Sequence, residues 1–391
     1  MPPSALELAD IFRQHGPAYR EAHALPEHQQ RLMRAIEECR TPALGGVVEG
    51  CDHCQYTHIH YRSCRNRHCP KCQGLARARW LEQRQAELLP VEYFHVVFTV
   101  PEAIAAIAFY NKAVVYDLVF RAAAETLLTM AADPQRLGVE IGFFAILHSW
   151  GENLHFHPHL HCVVPGGGLP AQGDRWIYGR RRFLLPVKRL SARFRRRLLV
   201  ALEHAHAAGQ LQFFGELAGW SDPAAFARYL APLKKSKWVV YAKAPLGGPR
   251  PVLEYLGRYT HRVAISNRRL LALEDGQVTF AWKDYRDGQR KQMSVSAEEF
   301  IRRFLLHSLP PGLQRIRYYG FLANCHRAPR LALCRRLLAA PAAALLPRAT
   351  GYRDFYFQLT GVDPRLCPRC RIGRLLRRAL PWPLPEGLDT S

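Results

Sequence analysis

Negative charge is scarce in this chain. Its 391 residues hold 32 Asp and Glu against 55 Lys and Arg, a formal net charge of +23. A surplus of that size points to a polyanionic partner, nucleic acid before membrane. Long apolar runs are also missing. The one candidate, residues 103–130, is interrupted by Asn111, Lys112, Asp117, Arg121 and Glu125, which excludes a membrane-spanning helix. The opening MPPSALELADIFRQHG has no apolar core region, so no signal peptide is expected. The expected location is the cytoplasm. No Walker motif or other nucleotide loop is present, so no nucleotide cofactor is expected. There is no internal repeat, and no linker long enough to separate fully independent domains.

The basic residues that are present cluster. Arg180, Arg181 and Arg182 form one run, Arg193, Arg195, Arg196 and Arg197 a second, and Lys234, Lys235 and Lys237 a third. One such run alone reads as a solvated helix face. Three of them under this net charge favour nucleic acid. Trp176, Tyr178, Phe183, Phe194 and Trp238 lie among them, a mixture suited to phosphate contacts and base stacking on single strands.

Hydrophobic periodicity organises the chain. Residues 5–41 read as helical with a start signal at Pro26, and a cysteine-rich, loop-rich segment runs on to residue 72. LARARWLEQRQAELLP is an amphipathic helix, YFHVVFTVP a buried strand, and roughly 102–131 one long helix. VEIGFFAILHSW and HLHCVVPGGG form an antiparallel hairpin about Gly151. A basic helix covers about 189–207, SKWVVYAKAP is a strand, and Asp275-Gly276 and Asp287-Gly288 turn three further strands into a meander. After about residue 325 the tail is helical, then loose. The expected fold class is α+β. Three segments are expected: a cysteine-rich N-terminal one over 1–92, a mixed strand-and-helix one over 93–325, and a basic, partly helical tail over 326–391.

In a reducing compartment, spaced cysteine pairs mean metal more often than disulfide. Cys51-x2-Cys54 and Cys69-x2-Cys72 stand fourteen residues apart, the four-thiolate pattern of a structural zinc site. Cys64, His58, His60 and His68 lie inside the span, so ligand exchange or a second ion stays open there. Arg62, Arg65, Arg67 and Lys71 make the site basic, as contact with a DNA backbone requires. Cys367-x2-Cys370 is a lone pair, read either as unrelated thiols or as half a site with Cys325, His326 or Cys334.

HFHPHLHCVV puts four histidines into seven positions. In a strand, side chains two apart share a face, so His155, His157, His159 and His161 align, with Leu160 and Cys162 turned away. Such a row suits metal ligation, although a solvated histidine hairpin has the same pattern. A second element, EYLGRYTHR, places Tyr255 and Tyr259 one helical turn apart on one face. Alone they read as part of a core stripe with Val252 and Leu256.

Together these elements resemble the HUH endonucleases, specifically the two-tyrosine transposases of IS91-type insertion sequences. The order SCRNRHCPKC, FHVVFTVP, LHSWGENLHFHPHLHCVV, YLGRYTHRVAISN, LEDGQVTFAWKDYRDG and IRYYGFLA carries the resemblance over roughly residues 5–340. It implies an HUH core with a central antiparallel sheet and flanking helices, preceded by a small zinc module. It also implies that His159 and His161 bind catalytic Mg2+ or Mn2+, and that Tyr255 or Tyr259 attacks single-stranded DNA to give a 5′-phosphotyrosine. A third ligand is expected nearby: His148, by its parity on the partner strand, or Glu152 at the turn. The resemblance implies a bacterial, nucleoid-associated protein whose partners are single-stranded and duplex DNA at element ends and target. With it come a zinc-binding, DNA-recognition domain over 1–92 and an HUH nuclease/transposase catalytic domain over 93–325. A plasmid relaxase or rolling-circle replication initiator shares this site. A non-enzymatic zinc-dependent DNA-binding regulator would carry the same histidines and tyrosines as core.

Overall fold

The computed structural model describes residues 6–180, 182–246, 251, 263–284, 287–340 and 351–380. The chain divides into two compact units, each discontinuous in sequence, where three consecutive segments were expected. One comprises Met1–Glu82, His261–Ser308 and Ala344–Ser391, the other Gln83–Thr260 and Leu309–Ala343.

The second unit is built on a five-stranded sheet. Its strands β3 (Tyr93–Thr99), β4 (Gly142–Trp150), β5 (Phe156–Pro165), β8 (Val240–Leu246) and β12 (Ile316–Gly320) run in the order β12-β4-β5-β3-β8. Every pairing is antiparallel, and β5 lies at the centre. The expected α+β class with a central antiparallel sheet is borne out. Alternation along the strands sorts the two faces. Phe94, Val96 and Phe98 of β3, Ala145 and Leu147 of β4, and Leu160, Cys162 and Val164 of β5 enter one hydrophobic core. Helices α4 (Glu102–Tyr110), α5 (Lys112–Ala132), α6 (Val187–Ala207) and α7 (Pro223–Lys235) supply its other side through residues such as Val115, Phe120, Phe194 and Leu230. Phe98, Phe120 and Phe194 are fully buried, each contributing roughly 1.5–3 kcal/mol by its removal from water.

The single long helix expected over 102–131 is two helices. Asn111 breaks it, because its buried side-chain amide serves chain elsewhere: Nδ2 donates to the Gln212 carbonyl at 2.8 Å and Oδ1 accepts from the Gln212 amide at 2.7 Å. After β5 the chain makes a small ladder, β6 (Gly167–Gly168) with β7 (Ile177–Tyr178). Only glycine fits there, since a Cβ on Gly168 would stand 2.3 Å from the Glu140 carbonyl oxygen.

The first unit holds two three-stranded sheets. The expected meander forms as β9 (Leu270–Glu274), β10 (Gln277–Lys283) and β11 (Arg290–Ser296). A helix over Ala297–Leu306 follows, with Ser296 accepting from the Glu299 amide as its cap. Its buried Phe304 meets Phe12 of α1 (Leu8–Ala22) edge-on, the ring centroids 5.4 Å apart. Helix α2 (Glu27–Glu37) leads from α1 to the cysteine-rich segment. That segment, expected as loops, contains β1 (Gly46–Cys51) and β2 (Thr57–Tyr61). The tail, expected to loosen, returns as β13 (Leu375–Ala379) and pairs antiparallel with β1, giving the order β13-β1-β2. Among the described residues no helix is long and apolar enough to cross a membrane.

Candidate metal centres and nucleic-acid surface

On the sheet face opposite the core, β5 presents His157, His159 and His161, while His155 precedes the strand. His148 of β4 is directly opposite His159, so the two share a face. The side-chain nitrogens available for ligation in His148, His159 and His161 all lie within 4.8 Å of one another. Glu152 sits in the turn and outside this group. His148 and His161 are buried and His159 is part-buried.

Two hydrogen bonds aim these rings. His159 Nδ1 is 2.7 Å from the His157 carbonyl oxygen, which can only accept; Nδ1 therefore carries the proton and Nε2 keeps its lone pair. His161 Nδ1 is 2.8 Å from Nε2 of His95, a buried histidine on β3. Desolvation pushes the His159 imidazole down to about 4, so it is neutral at pH 7. Three imidazoles gathered on one sheet face, two of them oriented by hydrogen bonds, form a donor set suited to a divalent cation.

His95 is the residue that sequence reasoning passed over. Its signal was there: it is the one strongly polar side chain in YFHVVFTVP, and its parity opposes that of Phe94, Val96 and Phe98. Tyr255 and Tyr259 lie outside the described residues.

The four cysteines expected to form one site are separated. Cys69 and Cys72, at the entrance to α3 (Gln73–Glu87), join Cys64 and Cys39, the latter just beyond α2. Cys51 and Cys54, at the β1–β2 turn, join Cys367 and Cys370 instead. In each group the four sulfurs lie within 4.8 Å of one another. The physical reason is the pairing of β13 with β1, which delivers the distant pair to the β1 end. Spacing along the chain could not show it. In the first group Cys72 Sγ is 3.5 Å from Cys39 Sγ and 3.6 Å from Cys64 Sγ, and Cys39 and Cys69 are fully buried. Four soft thiols gathered this closely fit a closed tetrahedral zinc site.

The basic runs also differ from expectation. Trp176, Phe194 and Trp238 are core residues, because α6 turns its apolar stripe inward and Trp238 packs edge-on against Phe194. Only Tyr178 and Phe183 of that set are exposed. A different group of open aromatics stands beside the histidine strand. Phe109 and Tyr110 end α4, Phe214 lies beyond Gln212, and all three are exposed. Tyr110 and Phe214 have ring centroids 5.5 Å apart, and Phe109 meets Phe156 of β5 at 6.1 Å. The Lys112 ammonium stands 5.9 Å from the Phe156 centroid, and desolvation pushes its pKa down to about 8.

A family model described as "Putative transposase" matches residues 142–329, and one described as "Transposase zinc-binding domain" matches residues 11–100. The chain is 60% identical over 377 residues to "Putative transposase y4qJ" of Sinorhizobium fredii (strain NBRC 101917 / NGR234), covering 95% of each protein. It is 28% identical over 375 residues to the "Transposase for insertion sequence element IS801" of Pseudomonas savastanoi pv. phaseolicola, covering 90% of this chain and 84% of that one. No solved structure matches.

Proposed function

The chain belongs to the IS91 family of insertion-sequence transposases, and on that premise we propose that it cleaves and rejoins single-stranded DNA at element ends through a rolling-circle route. The observation that carries this reading is the convergence of His148, His159 and His161 on one sheet face. These three residues would hold Mg2+ or Mn2+, which when bound withdraws charge from a scissile phosphate and stabilises the charge developing on it.

Tyr255 and Tyr259 are the proposed nucleophiles. A phenolate oxygen attacks phosphorus, the new O–P bond forms as the P–O3′ bond breaks, and the leaving 3′ oxygen takes up a proton. The products are a 5′-phosphotyrosine and a free 3′-hydroxyl. Attack by a 3′-hydroxyl on the phosphotyrosine reverses the exchange and releases the phenol, so rejoining needs no ATP. A single strand suits this surface because the Phe109, Tyr110 and Phe214 rings offer faces on which unpaired bases can stack. In the N-terminal domain Cys39, Cys64, Cys69 and Cys72 would hold a structural zinc ion and so order the loops that carry them.

The test is incubation of the full chain with single-stranded element ends and Mg2+ or Mn2+, followed by a search for a covalent protein–DNA adduct. Wild type should form it. The double variant H159A/H161A should not, while keeping its circular dichroism and duplex binding. Cleavage by H159A/H161A with added Mg2+ would sink the metal assignment. Metal-independent duplex binding with no adduct from wild type would leave a regulator.

A further inference from the structure

We propose that the protein carries a second structural zinc ion, held by Cys51, Cys54, Cys367 and Cys370, which fastens the C-terminal segment onto the N-terminal sheet. Cys51 Sγ is 3.7 Å from Cys370 Sγ, and Cys54 Sγ is 3.7 Å from Cys367 Sγ, across sequence separations of 319 and 313 residues. Both pairs have the form Cys-x2-Cys, and both are shaped to present sulfur. The amides of His53 and Cys54 each donate to Cys51 Sγ at 3.3 Å, and the Gly373 amide donates to Cys370 Sγ at 3.3 Å. Amide donation of this kind fixes the direction in which the sulfur points, as a metal ligand needs. The turn after Cys370 passes through Arg371 at φ +57°, and a Cβ on Gly373 would lie 2.5 Å from Cys51 Sγ.

Apolar burial alone is a poor fastening for this segment. Among residues 351–380 the buried hydrophobic side chains are Phe355, Cys367, Leu375 and Leu380, whereas Phe357, Leu359, Val362, Ile372 and Leu376 are exposed. A segment so thin in core is the kind that a metal holds together. The polar contacts point the same way. The Arg374 amide donates to Asp52 Oδ1 at 2.7 Å, and the Asp52 amide donates back to the Arg374 carbonyl at 3.1 Å. With the segment seated, β13 adds Arg377 and Arg378 to the edge of a sheet that already carries the basic cysteine loop.

Zinc content of the full chain, purified without added metal or chelator and measured by inductively coupled plasma mass spectrometry, tests this. Wild type should hold two zinc ions per chain and C367S/C370S one. C370H, which keeps a competent donor, should return to two. In hydrogen exchange, C367S/C370S should lose protection over β13 and β1 and keep it over the five-stranded sheet. One zinc per wild-type chain would overturn the proposal, as would two in C367S/C370S or iron in place of zinc. The adduct assay plays no part in this outcome, so the zinc proposal and the nuclease reading fail separately.

Discussion

At the scale of single residues, His95 is the sharpest addition to the proposed cation site. Its Nε2 meets His161 Nδ1 at 2.8 Å, so it holds that ring in place and fixes which nitrogen faces His148 and His159. Partners of this kind typically set metal affinity by about 10- to 100-fold. Replacing His95 with Phe keeps an aromatic ring and removes the hydrogen-bond partner of His161. Titration of H95F with Mn2+ should therefore show weaker binding by about that factor, and excess metal should restore adduct formation; unchanged Mn2+ affinity would reduce His95 to filling. The proposed nucleophiles call for a different substitution. Tyr255→Phe and Tyr259→Phe each remove one hydroxyl, and in-line attack needs a reacting distance of roughly 3–3.5 Å, so one phenol acts at a time. Each single variant should retain partial nicking of an oligonucleotide, and the double variant should form no adduct while still binding DNA. An adduct in the double variant, mapped to another residue, would show that the nucleophile lies elsewhere.

At the scale of elements, the break between α4 and α5 ties a structural bond to a binding surface. Asn111 exchanges two hydrogen bonds with Gln212, and two residues further on Phe214 comes to lie beside Tyr110. Asn111→Leu removes both hydrogen bonds to the Gln212 backbone, at about 0.5–1.5 kcal/mol each. Thermal unfolding of N111L should shift down accordingly, and its affinity for single strands should fall more than its affinity for duplex. F109A/Y110A/F214A should reproduce the second effect without the first, since base stacking on aromatic rings contributes about 1–3 kcal/mol per base. Glu49 of β1 gives a pH signature of a second junction. It is buried, and burial alone would raise its carboxyl pKa. Its hydrogen bond and ion pair with Arg377 of β13, with His60 and Arg353 also in contact, hold it below the usual carboxylate range. A carboxylate whose folded pKa is depressed stabilises the fold above its unfolded value. That stability is lost as the pH falls through the folded value. Protection of β13 in hydrogen exchange should therefore weaken as pH drops below about 4.3, the ordinary glutamate pKa, and E49Q should flatten the dependence. These elements also mark how far sequence reading reaches. Strand alternation and Asp-Gly turns made β3, β4, β5 and the meander legible, because those signals are local. The break at Asn111 and the pairing of β13 with β1 were not legible, because each depends on a partner about a hundred or more residues away. The cysteines divide the same way: the Cys-x2-Cys spacing flags metal, but only the returning strand decides which pairs meet.

At the scale of the molecule, the dominant quantity is the net charge of +23, and the structure shows how much of it is already engaged. Within the basic runs, Arg197 pairs with Glu125, Lys234 pairs with Glu203, and Arg195 donates to the Ser236 carbonyl. Such groups meet a phosphate only by giving up a partner. Arg196, exposed on α6, and Arg193, one turn earlier, are better placed to neutralise phosphates directly. Each phosphate neutralised on a single strand releases condensed counterions and adds about −0.7 to the slope of log K against log salt. Binding to a single-stranded oligonucleotide should therefore weaken steeply with salt, and R193A/R196A should reduce the slope by about 1.4 if both contact phosphate. R195A should change it by less, because its guanidinium also holds the chain at Ser236. The comparison is made by fluorescence anisotropy over a salt series with one oligonucleotide. A slope close to zero in wild type, or an identical slope in R193A/R196A, would mean that DNA is gripped elsewhere. The exposed arginines of β13 would then be the next residues to replace.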